Sequence, residues 1–380
     1  MVNLNTKAMG VIFPNSFDAL VSQMVELRLM ASLPFASRYR LIDFVLSSMS
    51  NCGIDNITVV PNRNYMSLMD HIGTGREWDL TRKNGGVRLF PPFAENGNKL
   101  SNGRIGALAN IMRYLKEQKE KYIVLADTNL AVNFDFNAMI EEHISSGADV
   151  TVAYKEEALP ETFLESDDVD KDLYYSFGIE NGRVREIHVN PTESGVHNLS
   201  MNYFVLEREL LIDLVKDAFS HGLTYFTRDV LWAKRNELNI HAYKYEGYVG
   251  RICSINSYFD ENMKLLQDEN LDALFNGAPI YTKVRDDNPT RYIVGAHVNN
   301  AMIADGCVIE GEVENCVLFR GVKIGKGAKV KNCILMQDTV VEDGAELEYI
   351  IADKNVVVSA GKEMKGTKRY PVYIVKKYRV

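Results

Sequence analysis

The stretch VLADTNLAVNFDF (124–136) sets an apolar run directly against oxygen-bearing side chains. YIVLA (122–126) has the length and character of a buried strand, and Asp127, Thr128 and Asn129 follow at its carboxyl end. In open α/β sheets that end faces the ligand crevice. A hard divalent cation seeks carboxylate oxygen there. Asp127 offers one, whereas Asn129 offers only a neutral amide oxygen, which coordinates without bringing charge.

The elements that would position this cluster show two periodicities. From about residue 8 to 245, apolar strand-like runs alternate with helical patterns. GVIF (10–13), NITVVP (56–61), YIVLA, DVTVAYK (149–155) and NYFVL (202–206) read as strands. Leu20, Val21, Met24 and Leu27 recur at helical spacing, and Ile105, Leu108, Ala109, Ile111, Met112 and Leu115 form one apolar helix face. Such alternation implies a largely parallel sheet covered by helices. A helical stretch (257–275) and a connector (279–292) follow. After them, apolar positions recur six apart (Ile324, Val330, Met336), each with a small or β-branched residue four later (Ala328, Ile334, Val340). The pattern also runs through Ile303, Ile309, Cys307 and Val313, and returns one residue out of phase at Val341, Leu347, Ala345 and Ile351. Hexads mark the flat faces of a triangular solenoid, three to a turn. The chain therefore divides into an α/β domain (1–256), a helical linker (257–292) and a β-helix (293–380).

With 380 residues, 46% hydrophobic and 25% charged, the sequence holds enough core for two domains. A net charge of −8 argues against a nucleic-acid partner. Cys52, Cys253, Cys307, Cys316 and Cys333 are odd in number and scattered, so they read as small core residues, not as disulfides or a zinc site. The start, MVNLNTKAMG, lacks the pattern of a secretory signal, and no run is long enough to span a membrane. The expected location is the cytoplasm.

RYRLIDFVLSSMSNCGIDNITVV (38–60) and GREWDLTRKNGGVRLFPPF (75–93) carry a resemblance. Both are similar in order and spacing to segments of bacterial ADP-glucose pyrophosphorylases (glucose-1-phosphate adenylyltransferases), as is the hexapeptide-repeat C-terminus. The resemblance implies a nucleotidyltransferase-like (Rossmann-like, GT-A-like) mixed-sheet domain followed by a left-handed parallel β-helix. It implies the reaction of ATP with glucose-1-phosphate, giving ADP-glucose and pyrophosphate with Mg²⁺. It also implies tetramers regulated by metabolites near domain and subunit boundaries. Pro34, Phe35, Arg40, Ile42, Asp43, Phe44, Trp78 and Asp79 fit the family pattern.

The positions that the resemblance assigns to chemistry depart from the pattern. The glycine-rich phosphate loop falls on Asn15–Leu20, which holds neither glycine nor cation; Asn15 or Ser16 reads there as a helix cap. A lysine facing anions is Met30, a tyrosine is Gly103, an acidic residue is Leu108 and a sugar-phosphate lysine is Asn190. The two metal-binding aspartates fall on Asn129 and Arg251. A guanidinium there opposes a metal and is placed to fill the vacancy itself. Asp127 would serve instead of Asn129 only by a two-residue slip, which moves the backbone. Gly178 and Ser200 match positions beside the sugar, and Arg28, Arg38, Arg40 and His71 make a candidate anion site for a phosphorylated regulator.

The chain is thus similar to the GlgD-type subunits of the family. The expectation is a regulatory, catalytically degenerate partner in glycogen biosynthesis. It would bind no metal or cofactor itself and would join a catalytic chain, which carries the Mg²⁺, in a heterotetramer. The alternatives are an adenylyltransferase active alone, an acyltransferase using His297 beside the β-helix, or a homo-oligomeric metabolite sensor.

Overall fold

The computed structural model describes residues 8–82, 85–91, 103–160 and 174–380. Among these, nine strands form the main sheet: β1 (Ala8–Phe13), β2 (Asn56–Val59), β3 (Gly86–Leu89), β4 (Tyr122–Asp127), β5 (Val150–Ala158), β6 (Tyr175–Glu180), β7 (Arg183–Val189), β8 (Val196–Glu207) and β9 (Ile240–Lys244). Across the sheet they run β3-β2-β1-β4-β8-β5-β9-β7-β6. Pairings among β1–β4 are parallel, as is β5 with β9, whereas β8 is antiparallel to β4 and β5. The sheet is mixed, as the family resemblance implies, and not largely parallel as the alternation implies. Parallel neighbours need a crossover connection. β8 runs opposite to both of its long neighbours, β4 and β5, and so interrupts the parallel order in the middle of the sheet.

β1 shows how the sheet divides the core. Met9, Val11 and Phe13 join one apolar cluster, while Ala8 and Ile12 join the other, because successive side chains leave a strand on opposite faces. The first cluster is covered by α3 (Gly103–Asn110), α4 (Met112–Glu117) and α6 (Arg208–Ser220). The second is covered by α1 (Leu41–Asn51), α2 (Met66–Ile72) and α5 (Phe136–Ser146). Both faces are covered, so β4 is buried along its whole length and reads as one continuous apolar run. Asp135 starts α5 by accepting from the N–H groups of Asn137 and Ala138, and Gly147 ends it at φ 59°.

Three helical expectations are corrected. Leu20–Leu27 is not a helix: Asp18–Val21 makes a 3-10 turn and irregular turns follow, leaving Leu27 64% exposed. The turns are closed by three-residue bonds such as Met24 N–H to the Val21 carbonyl at 2.8 Å, and the Asp18 carboxylate accepts from the Met30 N–H. The 105–115 face is split at Ile111 into α3 and α4. The 257–275 stretch is split into α7 (Ile255–Lys264) and α8 (Asp268–Phe275), with the Asn270 amide donating to the Lys264 carbonyl at the break.

Residues 291–374 form the parallel β-helix. Val313, Val330, Leu347 and Met364 stack in register on one face, and Ile309, Ile324, Val341 and Val358 on another. Coil-to-coil contacts such as Lys329–Glu346 span 17 residues, one fewer than three full hexads. That missing residue is why the hexad pattern slips by one at Val341. Cys307, Cys316 and Cys333 are buried in the solenoid, Cys253 is buried in the seam below, and all five cysteines are free thiols.

The two parts share one core. Phe35, Phe44, Tyr258, Phe259 and Leu274 pack with Val317, Phe319, Ile334, Met336 and Ile351 of the β-helix. The connector crosses α1, where the Ser47 hydroxyl accepts from the Tyr281 N–H at 2.8 Å. Arg28 pairs with Asp353 deep in the seam, and the Tyr373 hydroxyl also donates to Asp353 at 2.5 Å. Burial works to raise the Asp353 carboxyl, but Arg28 and Tyr373 outweigh it and hold the group below its ordinary value. The pair's contribution is therefore present above the ordinary aspartate range, near about 4, and is lost as pH falls below it. Arg28→Met leaves this carboxylate uncompensated and is expected to cost about 3–5 kcal/mol at neutral pH. Urea denaturation measures it; a loss under about 1 kcal/mol would show that the seam does not depend on the pair.

Candidate functional site

The carboxyl ends of β1 and β4 open into a cleft of about 220 Å³, walled by Phe13, Phe17, Tyr175, Tyr225 and Phe226 and edged by Asn15, Asn62 and Asn202. Asp127 forms its floor and is 1% exposed. Arg104, in the first turn of α3, places Nη2 2.6 Å from Asp127 Oδ1, and the Ser16 hydroxyl donates to the same oxygen at 2.8 Å. The guanidinium lies over the Phe13 and Phe204 rings, 4.8 and 5.2 Å from their centroids, a contact favourable to a cation. Burial pushes the Asp127 carboxyl up, against the pull of Arg104, Ser16 and Asn202. Arg104 was missed from sequence because it comes from a different element with no spacing to betray it.

The residues beside the phosphate-loop position have other work. Asn15 accepts from the Asn62 N–H at 2.7 Å and donates to Asp18 at 2.8 Å. Phe17, not Asn15 or Ser16, occupies the cap position of the 3-10 turn, at φ 67° and without a capping bond. The expectation of an Asn15 or Ser16 cap is thus corrected: one holds the strand-end loop and the other binds Asp127. Leu20 packs against the seam core and Met30 is fully buried there.

Asn129 is buried, and its Oδ1 finds no partner among the described residues. Its carbonyl accepts from the Ile252 N–H at 2.9 Å, so it lies beside Arg251. Arg251, which the sequence reading sets at the second metal position, is engaged by protein groups. Its Nε donates to Glu157 at 2.7 Å and its Nη1 to the Ser200 carbonyl at 3.1 Å. The cation against Asp127 is Arg104.

Of the sugar-side positions, Gly103 lines the cleft, whereas Leu108, Gly178, Asn190 and Ser200 lie away from its lining. The Ser200 hydroxyl donates to Asn202 and accepts from its N–H, at a bulge in β8. Asn190 turns the chain at φ 47° and accepts from the Tyr174 N–H. Gly178 packs against Glu186, and Leu108 lies in the core. Gly103 sits at φ 65°, where a Cβ would meet the Thr224 carbonyl oxygen at 2.6 Å, so the backbone leaves no room for the family's tyrosine. Asn102, and Lys83, Asn84, Pro92 and Phe93 of the tryptophan-containing block, lie outside the described residues.

A second cavity of about 230 Å³ lies between the α/β domain and the β-helix. Arg38, Arg40 and His71 line it, as the sequence grouped them, but Arg28 does not: it is committed to Asp353. Lys283, Arg285, Arg320, Gln337 and Lys354 join from the connector and solenoid. Arg320, Gln337 and Lys354 follow the 17-residue coil step and form one column, a signal that the corrected repeat length would have shown. Arg320 Nη1 donates to the Lys283 carbonyl at 3.2 Å, its Nε is buried without a partner among the described residues, and burial lowers the guanidinium's proton affinity. His71 is bound to Asp43 at 2.5 Å, and Arg40 donates to the Ser67 carbonyl at 2.6 Å. Among the described residues no carboxylate forms an ion pair with Arg38, Arg40, Arg320 or Lys354. His297, the alternative catalytic base, lies exposed at the first coil.

Two family descriptions match the chain: "Nucleotidyl transferase" over residues 29–268 and "GlmU-like, C-terminal hexapeptide" over residues 284–368. A glycogen biosynthesis protein GlgD from Geobacillus stearothermophilus is 39% identical over 86% of this chain and 84% of its own. The GlgD of Bacillus subtilis strain 168 is 32% identical over 86% and 83%. A glucose-1-phosphate adenylyltransferase of Geobacillus stearothermophilus is 32% identical over 79% and 76%. With a nucleotidyl transferase domain joined to hexapeptide coils and with likeness along most of its length, the chain belongs to the bacterial glucose-1-phosphate adenylyltransferase family, among relatives that include GlgD proteins.

Proposed function

We propose that this chain works in glycogen biosynthesis, in the cytoplasm, as a catalytically silent regulatory subunit beside a competent glucose-1-phosphate adenylyltransferase chain. The observation that carries the reading is the Arg104–Asp127 pair on the cleft floor. Phosphoryl-type transfer needs a divalent cation held by carboxylates and positive charge around the phosphates. Here Asp127 is already neutralised by Arg104, Asn129 contributes no charge, and Arg251 brings a cation bound to Glu157. Such a donor set fits Mg²⁺ poorly, and the reaction's ion is assigned to the partner. The cationic seam pocket suits a phosphorylated metabolite regulator.

Open surface supports a partner chain. His297–Ile303, the first long strand of the β-helix, pairs on one edge only among the described residues, and Val294 beside it is 101% exposed. Open edges of this kind invite pairing. A silent subunit can shift its neighbour's equilibrium if it binds the active state better.

Purified alone with ATP, glucose-1-phosphate and Mg²⁺, the chain is expected to turn over more than about a thousandfold slower than a competent chain, since losing one electrostatic contact alone costs roughly 10²–10³. Native mass spectrometry of the two chains mixed should show a hetero-oligomer. Comparable turnover by the lone chain would favour the independent enzyme, and absence of mixed species would remove the partner role. Asn129→Asp with Arg251→Asp should leave turnover near background, because Arg104 still holds Asp127 and the 15–20 loop still lacks glycine. Full activity from that pair of changes would contradict the role given to the loop and to Arg104. Arg104→Met should cost about 3–5 kcal/mol, with much of it recovered by adding Asp127→Asn; additive losses in denaturant would show that the two side chains do not act as a pair.

A further inference from the structure

Lys354 enters the seam pocket from the β-helix and meets positive charge from several directions. Arg40 and Arg28 face it from the α/β domain, with His71 and its partner Asp43 further along the same wall, and Lys376 approaches from the C-terminal segment. Among the described residues the acid that acts on it most strongly is its neighbour Asp353, which already holds Arg28 and accepts from Tyr373. The cavity between these groups is large enough for a small oxyanion.

We propose that anion binding in this pocket is coupled to the uptake of one proton by the Lys354 amine, so that the site reads pH together with its ligand. The inference rests on the reading of the pocket as an anion site and adds its proton linkage. Burial first, then Arg40 and Arg28, lower the Lys354 ammonium from its ordinary 10.5 to about 7. Near neutrality the free protein holds both forms of the amine. A dianion placed among these cations favours the charged form, so a proton passes from solvent to Nζ as the anion enters.

The sign follows from linkage. Below about pH 7 Lys354 is already protonated and binding takes up no proton through it. Above that, each binding event takes one, and affinity falls toward tenfold per pH unit until the bound-state value is passed. His71 does not produce this slope: burial lowers it from 6.5, so it loses its proton below the window. Arg40, lowered to about 10 by burial, keeps its charge throughout. Lys376 is also lowered by burial and by Arg28, and is the competing source that the variants must separate.

The test is calorimetric titration of the full chain with inorganic sulfate, which keeps both charges across the range, at pH 6, 7.5 and 8.5 in buffers of different ionisation enthalpy. Expected are near-zero proton uptake at pH 6, uptake approaching one per sulfate at pH 8.5, and a roughly tenfold weakening between the two higher values. Lys354→Met should bind more weakly with no slope from pH 7.5 to 8.5, and Lys354→Arg should bind well at every pH, also without that slope. Saturable binding that ignores pH in the wild type, or a slope that survives in Lys354→Met, overturns the proton uptake and leaves the anion site standing. No saturable sulfate binding at any pH overturns both.

Discussion

A carboxylate buried at the carboxyl end of a strand must be neutralised, and the choice of counter-ion shapes the rest of this cleft. Asp127 receives Arg104 from α3 and Ser16 from the loop after β1. A guanidinium fixed over Phe13 and Phe204 is a permanent partner, unlike a metal that arrives with its substrate. With the charge supplied internally, the loop at 15–20 is free to hold Phe17 and Asp18 in structural roles. Arg251 is likewise free to bind Glu157 and the β8 bulge.

The seam shows the opposite arrangement. The cleft balances its charge, whereas the interdomain pocket accumulates cations, several of them without a carboxylate ion pair among the described residues. Residues that fit the family pattern gather at this seam. Phe35 and Phe44 meet edge to face at 5.8 Å, the Tyr258 hydroxyl donates to the Pro34 carbonyl, and Asp43 holds His71 against Trp78. Under the proposed reading, evolution relaxed the reaction cleft and kept the surface through which a ligand or a partner acts on the whole molecule.

Much of the architecture was legible in the sequence because it rests on period. The continuous apolar run of β4 reports burial on both faces, and the hexads report the solenoid. What escaped rests on tertiary pairing. Nothing near Arg104 in sequence points to Asp127, and Arg28 looked like a pocket cation until the fold gave it Asp353. The helix expected over Leu20–Leu27 is replaced by three-residue turns such as Met24 N–H to the Val21 carbonyl, which apolar spacing does not distinguish from a helix. The Arg320–Gln337–Lys354 column was hidden by a coil one residue shorter than three hexads.

The most direct test of the cleft's proposed silence is electron paramagnetic resonance of Mn²⁺ with ATP, a paramagnetic stand-in for Mg²⁺, titrated with the lone chain. If Arg104 satisfies Asp127, the spectrum should remain that of Mn²⁺–ATP in solution as protein is added. A saturable protein-bound Mn²⁺ signal that disappears in Asp127→Asn would contradict it.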